Sequence, residues 1–180
     1  GSGGQVICDG LVDVKGAQIS LSPGFRWGTS VMPNQTITFD DLMTQTAMTY
    51  PETYARDIKG SEIKLILEDV ADNLFNEDPF LQQGGDMVRT GGISYKIDPK
   101  AKIGERITNI VLSKTGEKLD ANKSYKVAGW STVGAKSEGE PIWETVETYL
   151  KNMKHISKIK IDTPDIVGVK FTKLNSDIRS

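Results

Sequence analysis

The feature that most limits what this chain can become is a short apolar run, residues 17–21, closed by Ser22-Pro23-Gly24-Phe25-Arg26-Trp27-Gly28. A run this short, bounded by turn residues, reads as a buried strand. Pro23 and Gly24 stop it abruptly, and Gly28 lets the backbone turn again after Trp27. The strand therefore ends in a glycine-framed turn that holds one guanidinium between two rings. A guanidinium is permanently charged and offers a planar fork of donors to phosphate, sulfonate or carboxylate oxygens. Arg26 is accordingly a candidate anion ligand. The same residues also suit a solvated loop arginine, or one that pairs with a carboxylate to pin the turn, and the local sequence leaves these readings open.

On either side the chain alternates helical and extended patterns. Residues 5–15 place Val6, Ile7, Leu11, Val12 and Val14 at mostly helical spacing, and Gly16 is placed to close that helix. Pro33-Asn34-Gln35 is a turn, residues 36–38 are extended, and Thr38 caps a short helix with Asp41 as its acidic third residue, ending near Thr46. Residues 47–50 are extended up to Pro51, and residues 53–59 read as a strand that turns at Gly60. Ser61 then caps the best helix in the chain. Ile63, Ile66, Leu67, Val70, Ala71, Leu74 and Phe75 form its apolar stripe, while Glu62, Lys64, Glu68, Asp69 and Asp72 read as a solvated face.

The second half is richer in strands. Residues 76–92 read as a loop, and loops of this length inside a compact domain are often functional. Residues 93–98, 104–112 and 123–130 read as strands, with a hairpin turn at Lys114-Thr115-Gly116-Glu117. A polar loop covers residues 131–140, and Pro141 opens a helix that runs to about Met153. A basic connection over 154–164 and a last strand over 166–172 complete the chain. The pattern predicts an α+β fold: a mixed, mostly antiparallel sheet with packed helices. Gly1-Ser2-Gly3-Gly4 reads as a cloning scar or trimmed linker, and residues 5–180 as a single domain excised from a longer protein.

Composition narrows the function. The 180 residues carry a formal charge of −2 with both signs interspersed, so no basic face speaks for nucleic acid. The apolar runs are too short to span a bilayer, which argues against a membrane segment. Cys8, the single cysteine, sits in Val6-Ile7-Cys8 and reads as a buried structural thiol. His155 is the single histidine and lies among Lys151, Lys154, Lys158 and Lys160. No HExxH, DxH or CxxC pattern occurs. A catalytic metal site needs clustered His and Asp ligands, so neither a metal set nor a complete hydrolytic set is expected in this chain. Further site candidates are Tyr50, which precedes Pro51, and Trp130 at a strand end; both also suit plain packing. Asp86 and Arg89 in the 76–92 loop either pair with each other or leave Arg89 free to meet an acidic partner.

The order of SPGFRWG, a TFDDL helix, TAMTYP, a KG-x-E-I-K-x-I-L-E helix, GGISYKID, GERI and YKVAGW resembles the C-terminal domain of the 5′-nucleotidase family over about residues 5–172. SPGFRWGTS, TAMTYPETY, LEDVADNLFN, QQGGDMVR and GEPIWE are most similar to its SoxB-type thiosulfohydrolase branch, of bacterial sulfur oxidation. The resemblance implies a partner: an N-terminal metallophosphoesterase-like domain that carries two metal ions, manganese in this branch, and supplies the attacking water. It also implies a periplasmic location and a substrate-binding role for this domain. The substrate in this branch is a sulfonate held on a cysteine at the tip of the swinging arm of the carrier SoxYZ, and the product is sulfate.

Carried over by position, Arg26 falls on the arginine of the nucleotidase GGGIR turn, Tyr50 near one base-stacking ring and Trp130 on the other. Arg89 is a further candidate contact to the carrier. The nucleotidases follow their second ring with a GGDG loop; residues 131–140 here depart from it, which implies a groove for a peptide arm. Two alternatives stay open: a nucleotide-binding domain of a 5′-nucleotidase or cyclic phosphodiesterase, and a non-enzymatic module that docks an acidic protein through residues 151–160.

Overall fold

In the computed structural model, which describes residues 2–24, 28, 30–131, 137–157 and 159–169, the first helix, α1, spans Ser2–Val14. It begins before the point its apolar spacing predicts, and buries Ile7, Cys8 and Leu11. Gly16, at φ +57°, closes it as expected. Its N–H reaches the Asp13 carbonyl at 3.2 Å and the Ala17 N–H reaches that of Val12 at 2.9 Å, the paired bonds of a left-handed helix stop. β1 (Ile19–Ser22) follows, buried at every residue. α2 (Phe39–Thr46) carries the predicted capping box: Thr38 Oγ1 accepts from the Asp41 N–H at 3.2 Å, and the Asp41 carboxylate accepts from the Thr38 N–H at 2.8 Å.

β2 (Thr53–Lys59) matches its predicted bounds, and α3 (Gly60–Phe75) follows at once. Ser61 is not its cap. Lys59 holds the N-cap position without a side-chain bond. The first N–H groups of the helix, on Gly60 and Ser61, donate instead to the carbonyls of Lys123 and Ala121, each at 3.0 Å. A backbone segment therefore satisfies the orphan donors that a side chain normally takes. Glu68 is a second correction: it sits on the face read as solvated, yet is 2% exposed.

The segment read as a loop contains a short strand, β3 (Arg89–Gly91). β4 (Ile93–Ile97), β5 (Ile107–Leu112), β6 (Ser124–Trp130), α4 (Ile142–Met153) and β7 (Asp165–Ile166) complete the described elements. β5 starts later than predicted, because residues 103–105 form a turn. β7 is shorter than the predicted last strand, whose end from residue 170 lies outside the described residues. Pro141 stands at the N-cap of α4 rather than in its first turn. Residues 36–38 and 47–50 join no ladder.

The fold is α+β, as expected, with its strands divided between two sheets. One has the order β2-β6-β1-β3 and the other β5-β4-β7. β1 runs parallel to β6 and antiparallel to β3, while β2 runs antiparallel to β6. The division falls at Gly92, at φ +78° between β3 and β4, where a Cβ would strike the Gln18 carbonyl. Only glycine turns the chain that sharply so close to another backbone.

β6 shows how the two cores form. Its side chains alternate: Tyr125 and Val127 pack into one core with Ile58, Ile63, Leu67, Ile93 and Ile107. Ala128 and Trp130 pack into the other with Ile7, Leu11, Leu42, Ile142 and Val146. The first core lies against α3, the second beneath α1, α2 and α4.

Candidate functional site

Strand direction gathers the predicted site positions at one end of the four-stranded sheet. β1 and β6 are parallel and finish there, at Ser22 and Trp130. β2 and β3 run the other way and start there, with Thr53 paired to Trp130 and Arg89 paired to Ser22. Trp130 thus ends one strand, Arg89 begins another, Tyr50 lies just before β2, and the turn that contains Arg26 leaves β1. Arg26 itself lies outside the described residues, as do Phe25 and Trp27.

The two glycines that frame that turn are described, and both are crowded. A Cβ on Gly24 would meet the Met87 carbonyl and Asp86, and one on Gly28 would meet the Gln45 carboxamide from α2. The Gly24 carbonyl accepts from Arg89 Nη2 at 3.2 Å. Arg89 also pairs with Asp86 at 3.6 Å, so the pairing foreseen from sequence is present. Arg89 is therefore a brace for the turn, with its side chain still half-exposed.

The two candidate rings stand differently. Tyr50 is 53% exposed and adopts φ +62° immediately before Pro51. A bulky residue in the left-handed region costs about 1–3 kcal/mol, and such strain concentrates at functional positions. Ser131, the residue after Trp130, is also left-handed at φ +58°. Trp130 is 4% exposed, packed in the second core, and its indole N–H donates to Ser22 Oγ at 2.8 Å. One ring is open to a ligand; the other is covered and ties two strand ends together.

Several residues that hold this end carried no local sequence signal. Gln45 is one. Glu140 is another: it accepts from Lys15 Nζ at 2.6 Å and Thr145 Oγ1 at 2.9 Å, and its carbonyl accepts from Thr53 Oγ1 at 2.7 Å. The hydrogen bond from the Lys15 ammonium holds its carboxyl below the usual range. Glu140 fixes the exit of the 131–140 loop, of which residues 132–136 lie outside the described set. Partners so far apart in sequence leave no spacing pattern to read.

Among the described residues, no group of three or more His, Cys, Asp or Glu side chains is placed to hold a metal ion. Burial pushes the Cys8 thiol up to about 12, so it stays protonated and unreactive. His155 is exposed, and Lys151 pairs with Glu147 at 2.8 Å on α4. Lys158 lies outside the described residues.

One sheet end of this two-sheet α+β domain thus carries an open tyrosine, Tyr50, a buried tryptophan, Trp130, and the two glycines that flank residues 25–27. The chain belongs to the family 5′-nucleotidase, C-terminal domain, which it matches over residues 1–152. It is similar to the sulfate thiohydrolase SoxB of Thermus thermophilus, solved with glycerol, at 33% identity and a TM-score of 0.81, over 93% of this chain and 32% of that one. The fold is shared with a 5′-nucleotidase precursor, also from Thermus thermophilus, at 20% identity and TM-score 0.68, over 93% of this chain and 35% of that one. It is also shared with the NAD nucleotidase of Haemophilus influenzae, at 19% identity and TM-score 0.69, over 90% of this chain and 32% of that one. The chain spans about a third of the length of these relatives. No curated protein sequence matches it significantly. Among the described residues no helix is long and apolar enough to cross a membrane.

Proposed function

We propose that this chain is the substrate-binding domain of a SoxB-type thiosulfohydrolase, acting with an N-terminal metallophosphoesterase-like domain in the periplasm. The substrate is a sulfonate carried on a cysteine of the SoxYZ arm. In the reaction water oxygen bonds to the sulfonate sulfur, the bond from that sulfur to the carrier's sulfur breaks, and sulfate leaves. The N-terminal domain would hold two manganese ions, and the chemistry they would supply is activation of that water; this chain contributes no ligand set for them among its described residues. Arg26 binds the sulfonate oxygens and the charge that gathers on them as the bond breaks, where a preorganised cation is most effective. Arg89 and Gln45 hold the turn that carries it. Tyr50 walls the groove for the arm, and Trp130 locks the strand ends beneath it.

The observation that carries this reading is the 33% identity to SoxB across 93% of the chain, against 20% and 19% for the two nucleotidases. The departure of residues 131–140 from a GGDG loop supports it. A nucleotide phosphohydrolase is the second reading, favoured by the family match and by the open ring of Tyr50, which suits a base. Titration of the domain with the carrier's arm peptide and separately with AMP, followed by NMR, decides between them. Peptide-induced shifts at Arg26 and Tyr50 are expected. AMP binding at those residues instead would establish the nucleotidase reading. In the full-length enzyme, Arg26→Ala that kept wild-type turnover would remove Arg26 from the site.

A further inference from the structure

After α3 the chain forms a tip, residues 76–85, with its own internal bonding. Asn76 Oδ1 accepts from the Asp78 N–H and Asp78 Oδ1 from the Phe80 N–H, each at 2.9 Å. Gln82 Nε2 donates back to the Asn76 carbonyl at 2.6 Å, and the Gly84 N–H donates to that of Asn73 at 3.1 Å. The base is anchored as well: Asn76 Nδ2 donates to Asp72 at 2.8 Å, and Arg106 Nη1 holds the other oxygen of Asp72 at 2.6 Å. On this stitched tip Phe80 is 95% exposed and Leu81 57% exposed. A ring held out to water on an ordered support gives up little freedom when it is covered, and buried aromatic anchors dominate binding at protein interfaces.

Charge and position say what covers it. From Leu65 to Val88 the sequence has six carboxylates and no lysine or arginine. Glu68 and Asp72 are used inside the fold, Asp86 pairs with Arg89, and Asp69 lies back on α3, which leaves Glu77 and Asp78 on the tip itself. The same loop packs Asp86 and Met87 against Gly24, at the mouth of the site. Phe80 is six residues from Asp86, at most about 21 Å of extended chain. A macromolecule that feeds an arm into the sheet end is large enough to reach this tip as well, whereas a free nucleotide is not.

We propose that Phe80 and Leu81 are the docking anchor for the body of the carrier whose arm enters the site, and that they fill an apolar pocket rimmed by lysine or arginine. This rests on the thiosulfohydrolase reading above. The test is calorimetric affinity of the 180-residue chain for whole SoxYZ and for its isolated arm peptide. Phe80→Ala is expected to weaken carrier binding about tenfold or more and to leave peptide binding and the melting temperature unchanged. Glu77→Lys, on an exposed side chain, is expected to weaken carrier binding alone, and added salt to weaken it in the wild type. Carrier affinity equal in wild type, Phe80→Ala and Glu77→Lys would overturn the docking role and leave the site reading standing. Loss of peptide binding in Phe80→Ala would overturn it by moving Phe80 into the site. A wild-type chain that binds neither carrier nor peptide would overturn both.

Discussion

The indole N–H of Trp130 donates to the hydroxyl of Ser22 at 2.8 Å, inside the protein, between two parallel strands whose ends frame the candidate site. Both partners are buried, Trp130 at 4% and Ser22 at 2% exposure. Ser22→Ala leaves the indole donor without a partner, at a cost of about 1–3 kcal/mol. Urea denaturation measures it. A change below a few tenths of a kcal/mol would mean that the bond contributes little to holding β1 against β6.

Glu68 joins α3 to the strand behind it. Its carboxylate accepts from the backbone N–H groups of Gly104 at 3.0 Å, Arg106 at 3.3 Å and Ile107 at 2.8 Å. Glu68→Ala orphans these donors, so a loss of about 3 kcal/mol is expected. Glu68→Gln keeps the shape and one acceptor, and should cost less. Equal stability of the two variants would refute a hydrogen-bonding role.

Two aspartates should titrate with opposite signatures. Hydrogen bonds from Arg106 and then Asn76 hold the Asp72 carboxyl below its usual range. Its stabilising contribution is present above the unfolded value, about 3.9, and is lost as pH falls through the depressed folded value. Asp9 is the reverse: burial, with the nearby Asp162 charge adding to it, raises its carboxyl against the opposing Gln5 hydrogen bond. Its charged form destabilises the fold above the raised folded value, and that penalty disappears as pH falls toward 3.9. At pH 7, Asp72→Asn is expected below wild type in urea midpoint and Asp9→Asn above it, with both differences shrinking toward pH 3. Displacements that stay constant over that interval would remove both assignments.

The two glycines of the arginine turn should differ in tolerance. A methyl on Gly24 meets a backbone carbonyl, that of Met87, whereas a methyl on Gly28 meets the end of the flexible Gln45 side chain. Gly24→Ala is expected to cost about 1–3 kcal/mol, and Gly28→Ala less, because the carboxamide can swing aside. Gln45→Ala should relieve whatever Gly28→Ala costs. A larger loss for Gly28→Ala than for Gly24→Ala, by thermal melting, would show that the turn is braced by Gln45 rather than by the 86–89 segment.

Much of the secondary structure was legible because its causes are local. The Thr38–Asp41 capping box, the Gly16 stop, the stripe of α3 and the bounds of β2 each follow from residues a few positions apart. Ser61 misled because a serine before an apolar run is a sound cap signal, and only the carbonyls of residues 121 and 123 made it unnecessary. β3 was hidden because its three residues, Arg89–Gly91, are extended through pairing with β1, not through any preference of their own. Glu68 misled for a related reason: helical spacing assigns a face, and the donors that bury it come from the turn before β5.

By itself, then, the sequence determined the kind of each main element and the family resemblance, because propensity, capping and motif are properties of neighbouring residues. The tertiary structure decided that the strands form two sheets and that one sheet end brings together Ser22, Tyr50, Arg89 and Trp130. It also decided that Tyr50 is open while Trp130 is covered. Ser22 and Trp130 are 108 positions apart. No local energy term links them, and their meeting depends on strand direction and register, which are settled only when both faces of β6 are packed at once.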